Sequence, residues 1–214
     1  MMSITVIHPP ADAGWADQRL RDVLRFALAG QEFRTVSTAG ELDNLAGQKL
    51  LFALPLGDAG VNLEYLRILT RLRREPGLLE DCTAGLLVDG AAPLYTKSTA
   101  SELVLAANLA GCAFLGRPLV EGTDTLSNFQ VQADNLGTNL PGAYRAAARE
   151  LVERLVSERF PLRSRPKLLV LHASSHHTSN TMALWSQVKA RLGDSFHCSE
   201  IGLRNGTLSD CSGC

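Results

Sequence analysis

The sequence predicts an α/β protein: a doubly wound parallel sheet of five strands, followed by the first β–α–β of a second such unit. Three observations carry this. Short apolar runs alternate with amphipathic helical stretches over residues 1–157, and repeated βα units imply a parallel sheet covered on both faces. A basic stretch with two prolines, residues 158–166 (ERFPLRSRP), breaks the alternation and reads as a linker. The alternation then restarts over residues 167–214.

Residues 3–8 (SITVIH) form a β-branched run ended by Pro9 and Pro10, a first strand. Residues 16–29 carry Leu20, Val23, Leu24, Ala27 and Leu28 at helical spacing, and Gly30 fits the stop. Residues 33–37 (FRTVS) read as a second strand, and residues 40–47 carry no clear helical signal. Residues 49–54 (KLLFAL) predict a buried strand ended by Pro55 and Gly57. Residues 61–74 predict a helix through Leu63, Leu66, Leu69 and Leu72, with arginines opposite. Residues 82–88 (CTAGLLV) predict a strand, ended by the turn signal Asp89-Gly90. Residues 98–109 predict a helix capped by Ser98, Thr99 or Ser101 and stopped by Gly111. Residues 112–115 (CAFL) are a fifth short strand. Residues 141–156 are a closing helix with proline in its first turn. Beyond the linker, residues 167–172 (KLLVLH), 181–192 and 195–201 (SFHCSEI) predict strand, helix and strand. Five strands interleaved with helices suit a flavodoxin-like sandwich.

Composition narrows function by exclusion. The chain has 214 residues and a formal net charge of -1, which gives no electrostatic case for nucleic acid or an anionic membrane surface. The N-terminus lacks a basic n-region and a long apolar stretch, so a cytoplasmic location is expected. Five cysteines, Cys82, Cys112, Cys198, Cys211 and Cys214, form an odd and sparse set, unlike a disulfide framework. Cys82 and Cys112 sit in apolar runs and are expected to be buried as small hydrophobes.

The stretch that carries chemistry is His172-Ala-Ser-Ser-His-His-Thr-Ser-Asn-Thr181, between a strand and a helix. A helix N-terminus offers unpaired N–H groups and the positive end of its dipole. With hydroxyl and amide donors added, it can hold a phosphate group. The plainer alternative is that Ser179 or Asn180 simply caps the helix.

The run KLLVLHASSHHTSNTMAL, followed by EIGLRNGTLSDCSGC, resembles the start of the NADPH-dependent FMN reductase and iron–sulfur flavoprotein group. In that group the first strand leads into a G-S-P-R-x-x-S-N-T loop that holds the FMN phosphate. Ser174 matches its first serine, and Ser179, Asn180 and Thr181 match its S-N-T. Ala173, Ser175 and His176 replace its glycine, proline and arginine, and His176 or His177 can supply a weaker donor. The resemblance thus implies an FMN site of Ser174, His176, Ser179, Asn180 and Thr181. Cys211-Ser-Gly-Cys214 resembles the group's C-x-G-C, which implies half of a metal site or a redox pair. Two thiolates fall short of the four ligands of a [4Fe–4S] cluster, so a cluster requires further cysteines; the plainer alternative is two reduced thiols. Residues 46–156 are similar to the group mainly in pattern, and the loop of residues 8–15 (HPPADAGW) lacks the S-N-T. Its prolines remove amide donors, so the first unit is expected to have lost its phosphate loop.

The histidines His8, His172, His176, His177 and His197 show no zinc spacing, and Arg67, Arg71 and Arg74 are expected to be a solvated helical face. The resemblance implies an FMN-dependent oxidoreductase that draws electrons from NAD(P)H, with FMN and a nicotinamide nucleotide as small-molecule partners and a homo-oligomer as an allowed assembly. The alternative is a non-catalytic flavodoxin-like scaffold that pairs with another subunit.

Overall fold

The computed structural model describes residues 4–11, 15–57, 59–158, 166–174 and 179–203. The chain divides into two compact units, residues 1–158 and 159–214.

The first unit holds a five-stranded, all-parallel sheet: β1 (Ile4–Ile7), β2 (Phe33–Val36), β3 (Lys49–Leu56), β4 (Thr83–Gly90) and β5 (Ala113–Gly122). The spatial order is β2-β1-β3-β4-β5. That order is the flavodoxin-like one. Helices α1 (Trp15–Ala27) and α5 (Leu140–Ser157) cover one face, and α2 (Leu63–Arg74) and α3 (Thr96–Leu109) cover the other. A short α4 (Gln130–Leu136) precedes α5. Alternation along β3 feeds both layers: Leu50, Phe52 and Leu54 pack under α2 and α3, while Leu51 and Ala53 pack under α1 and α5. All five are fully buried, and each leucine or phenylalanine so buried contributes about 1.5–3 kcal/mol.

Several local expectations change once neighbours are in place. Pro55 does not end β3, which runs to Leu56. The ladder with β1 stops at the Ile7–Phe52 pair, so Pro55 has a ladder partner only in β4. A proline is tolerated where one side of a strand is unpaired. Asp89-Gly90 is the end of β4, paired with Pro55-Leu56, and is not a turn. The fifth strand has ten residues instead of four because it continues past an irregularity opposite Ala84–Leu86. Between β2 and β3 the chain forms a single 3-10 turn, Ala39–Glu41, with the Glu41 carboxylate accepting from Ser37 N–H at 2.7 Å.

On α2 the buried stripe is Tyr65, Ile68, Leu69 and Leu72, whereas Leu63 and Leu66 are 52% and 45% exposed. Steps of three residues fall about 60° short of a full turn, so the leucine row 63-66-69-72 drifts off the buried face. The α3 helix begins at Thr96 behind Tyr95, whose φ is 76°. Ser98, Thr99 and Ser101 all lie inside the helix, so none of them is the cap residue, and Ser98 donates to the Tyr95 carbonyl at 2.8 Å. Asn139 caps α5 by accepting from Gly142 N–H at 2.8 Å, with proline in the first turn as expected. At the other end of α5, Lys49 Nζ donates to the carbonyls of Leu155, Val156 and Glu158, which ties the helix's last turn to the start of β3.

The second unit is a β–α–β: β6 (Lys167–His172), α6 (Asn180–Leu192) and β7 (His197–Gly202). Its strands pair in parallel with Leu169 opposite Ser199 and Leu171 opposite Ile201. Alternate residues of β6 are half-buried and exposed. Leu169, Leu171 and Ile201 remain 56%, 57% and 44% exposed. No helix among the described residues is long and apolar enough to cross a membrane.

Candidate functional site

The candidate phosphate site lies where β6 hands over to α6. Ser179 is the N-cap of α6, in extended conformation, and its Oγ accepts from Met182 N–H at 3.3 Å. This is the cap that the sequence offered as the plainer alternative, and the two roles are compatible. A hydroxyl that accepts one bond keeps its own O–H to donate. Asn180 and Thr181 occupy the first turn with exposed side chains, and Ser174, just past the end of β6, is half-buried. Buried Met182 anchors the turn. The first-turn amides, the Ser179 hydroxyl and the Asn180 and Thr181 side chains therefore share one helix start, the arrangement that suits an anion. His176 and His177, together with Ser175, lie outside the described residues, as do Cys211 and Cys214. Cys82 and Cys112 are buried free thiols, as expected, and Cys198 is half-buried. Among the described residues no three His, Cys, Asp or Glu side chains are grouped to hold a metal ion. Behind the helix, Glu200 of β7 pairs with Lys189 of α6. The Lys189 ammonium and then the Trp185 indole hold its carboxyl below the usual range.

The equivalent end of the first sheet is filled by its own side chains. The His8 ring bridges two oxygens, with Nδ1 3.0 Å from the Ala53 carbonyl and Nε2 3.1 Å from Asp17 Oδ1. Asn62 donates to the carbonyls of Pro10 and Pro55 at 3.2 and 3.0 Å, and its Oδ1 caps α2 by accepting from Tyr65 N–H. The backbone N–H of His8 donates to Val36.

A cluster that the sequence reading missed ties α1 to the ends of β4 and β5. Arg19 forks onto fully buried Asp89, with Nε 3.0 Å from Oδ2 and Nη2 2.5 Å from Oδ1. The same guanidinium donates to the carbonyls of Thr123 at 2.7 Å and Asp124 at 2.8 Å. The Tyr144 hydroxyl faces Asp89. Gly122 makes room for both: a Cβ there would come within 3.0 Å of the Tyr144 ring and 3.1 Å of Asp89 Oδ2. Burial pushes the Asp89 carboxyl up to about 6, against the opposing pull of Arg19 and Tyr144. Burial likewise raises the Tyr144 hydroxyl well above its usual range. One signal was present in the sequence. An aspartate that continues an apolar strand needs a cation if it is to be buried, but Arg19 lies 70 residues away.

Arg71 of α2 pairs with Asp43 and Glu75, and Arg67 pairs with Glu64. Arg67 is 71% exposed, in keeping with a solvated face, but only 18% of the Arg71 side chain is exposed, because it also donates to the Ala39 carbonyl.

No family model matches the chain, and no curated protein matches it. Solved structures of similar shape include a flavone reductase, at 14% identity and a TM-score of 0.46, over 73% of this chain and 64% of that one. A second is the flavodoxin of Streptococcus pneumonia TIGR4, at 12% identity and a TM-score of 0.43, over 71% of this chain and 98% of that one. The chain thus spans 64% of the length of the flavone reductase. The flavodoxin-like architecture rests on the strand order itself: a parallel sheet ordered 2-1-3-4-5 with helices on both faces.

Proposed function

We propose that the chain is a flavin-dependent NAD(P)H oxidoreductase of the flavodoxin-like class, with FMN held by the second unit. The observation that supports this is the capped start of α6 directly after β6. The amides there, the Ser179 hydroxyl and the Asn180 and Thr181 side chains would hold the FMN phosphate, with Ser174 and His176 as further donors. The residues fit the group, because Ser179 retains a donor while it caps and Asn180 and Thr181 are exposed. When bound, FMN accepts hydride from the nicotinamide and passes electrons onward. The protein supplies position and charge. In this reading the first unit is a scaffold that binds no FMN, because His8, Asn62, Arg19 and Asp89 already engage the groups at its sheet end. Cys211 and Cys214 would be half of a metal site or a redox pair.

A second reading is favoured by the apolar sheet face of Leu169, Leu171 and Ile201: a non-catalytic module that completes its second sheet with another subunit.

The test compares FMN with riboflavin, which has the same ring without the phosphate. Fluorescence titration should give tighter binding of FMN, and Ser179→Ala with Asn180→Ala should remove the difference. Loss of the cap alone costs about 1 kcal/mol of helix stability, so circular dichroism on the same variant separates the roles. Unchanged FMN affinity with a weakened helix would reduce these residues to a cap.

A further inference from the structure

Between α1 and α5 of the first unit lies a cleft of about 340 Å3, whose lining includes Asp22, Val23, Leu126, Tyr144 and Arg145. It belongs to the first unit and is independent of the flavin reading. Its floor is apolar: Val23, Leu126 and the Tyr144 ring are buried in the fold yet border the cleft. Leu126 is held with φ of 58°, a backbone region that a bulky side chain rarely adopts.

The charges around the floor cancel except for one. Arg19 is turned inward onto Asp89. Asp22 is held by Arg25 and by the Gln18 amide. Arg145 is exposed on the second turn of α5 and has no ion pair or hydrogen bond among the described residues. A guanidinium with spare donors at the rim of an apolar cleft suits a planar carboxylate, which it can bind in a two-pronged fork. The volume is at the small end of ligand sites. Asp22 at the rim disfavours a second negative charge, which argues against phosphate esters and dicarboxylates.

We infer that this cleft binds a small apolar monocarboxylate, with its ring or chain on Val23, Leu126 and Tyr144 and its carboxylate on Arg145. Such a ligand would bridge α1 and α5 on the face of the sheet opposite α2 and α3.

The probe is 2-naphthoate, titrated into the full chain by fluorescence and by amide chemical shifts, with 2-naphthalenemethanol as the uncharged control. Binding at about millimolar or tighter is expected, with shifts centred on Val23, Leu126 and Tyr144. The carboxylate should bind more tightly than the alcohol. Arg145→Gln should weaken the carboxylate about ten- to a hundred-fold, the range of a charge-assisted hydrogen bond, and leave the alcohol unchanged. Arg145 is exposed, so the variant should keep the parent thermal midpoint. Absence of binding, equal binding of acid and alcohol, or an Arg145→Gln protein that binds the acid as the parent does would each overturn the inference.

Discussion

Replacing Arg19 with methionine should destabilise the first unit by an amount that depends on pH. In the folded chain Asp89 is fully buried, and among the described residues its one cationic partner is Arg19. Removing one member of a buried pair costs about 3–5 kcal/mol, because the other charge is left uncompensated. The pH dependence follows from the carboxyl itself. Its pKa is raised from 3.8 to about 6 in the fold, so the folded state holds this proton more tightly than the unfolded state. The associated stability is present in full below the unfolded value and is lost as pH rises through about 6. The gap amounts to about 3 kcal/mol. Arg19 opposes the rise, so Arg19→Met moves the carboxyl further up. At about pH 8 the variant faces the full cost of burying a lone carboxylate, or of protonating it against the pH. At about pH 5 Asp89 is protonated in the variant and largely so in the parent, so the part of the loss that comes from the lone carboxylate disappears and the part that comes from the hydrogen bonds to Thr123 and Asp124 remains. Urea denaturation followed by far-UV circular dichroism at both pH values measures the difference. An equal loss at the two pH values would mean that the penalty does not reside in Asp89.

Other consequences follow from the same packing. Lys49→Met should cost about 2 kcal/mol or more, since three carbonyls at the end of α5 lose a charged donor; thermal denaturation that matches the parent would count against this anchor. Gly60→Ala should destabilise, because φ is +71° and the new Cβ would lie 2.5 Å from the Tyr95 side chain. Tyr95→Gly relieves a left-handed tyrosine at φ 76°, worth about 1–2 kcal/mol. It should also reduce the cost of Gly60→Ala; additive effects in the double variant would contradict the contact. Limited trypsin digestion should cut after Arg159, Arg163 or Lys167 and leave a stable fragment that contains residues 1–158. Digestion of both units at one rate would contradict two independent units.

What was legible in the sequence follows from how local the determining physics is. The strands β3 and β4 are continuous apolar runs, which only a sheet covered on both faces accommodates, and their order along the chain gave the fold class. Gly111 reads as a helix stop, and it is one: its φ is +99° and a Cβ would sit 2.9 Å from Glu80 Cα. Asp89-Gly90 misled because an Asp-Gly pair is a turn by its own chemistry, and only Arg19 makes burial of the aspartate tolerable. Pro55 misled for a related reason, since its acceptance depends on where β1 stops. The α4 helix was missed because Ala133 is its only buried residue, which leaves almost no periodic apolar signal. At the candidate site, the Ser179 cap was legible, because capping is a matter of three adjacent residues. The Arg145 cleft was not, because its walls come from α1, the segment after β5, and α5.

A phosphate site at the start of α6 is tested most directly by the response of the α6 amides to ligand. Amide spectra of the full chain are recorded with FMN, riboflavin and inorganic phosphate. FMN and phosphate should shift the N–H signals of Asn180, Thr181 and Met182, with riboflavin leaving them in place. Ser179→Ala with Asn180→Ala should abolish the response. Shifts that are absent with FMN, or equal for FMN and riboflavin, would contradict a phosphate site at the start of α6.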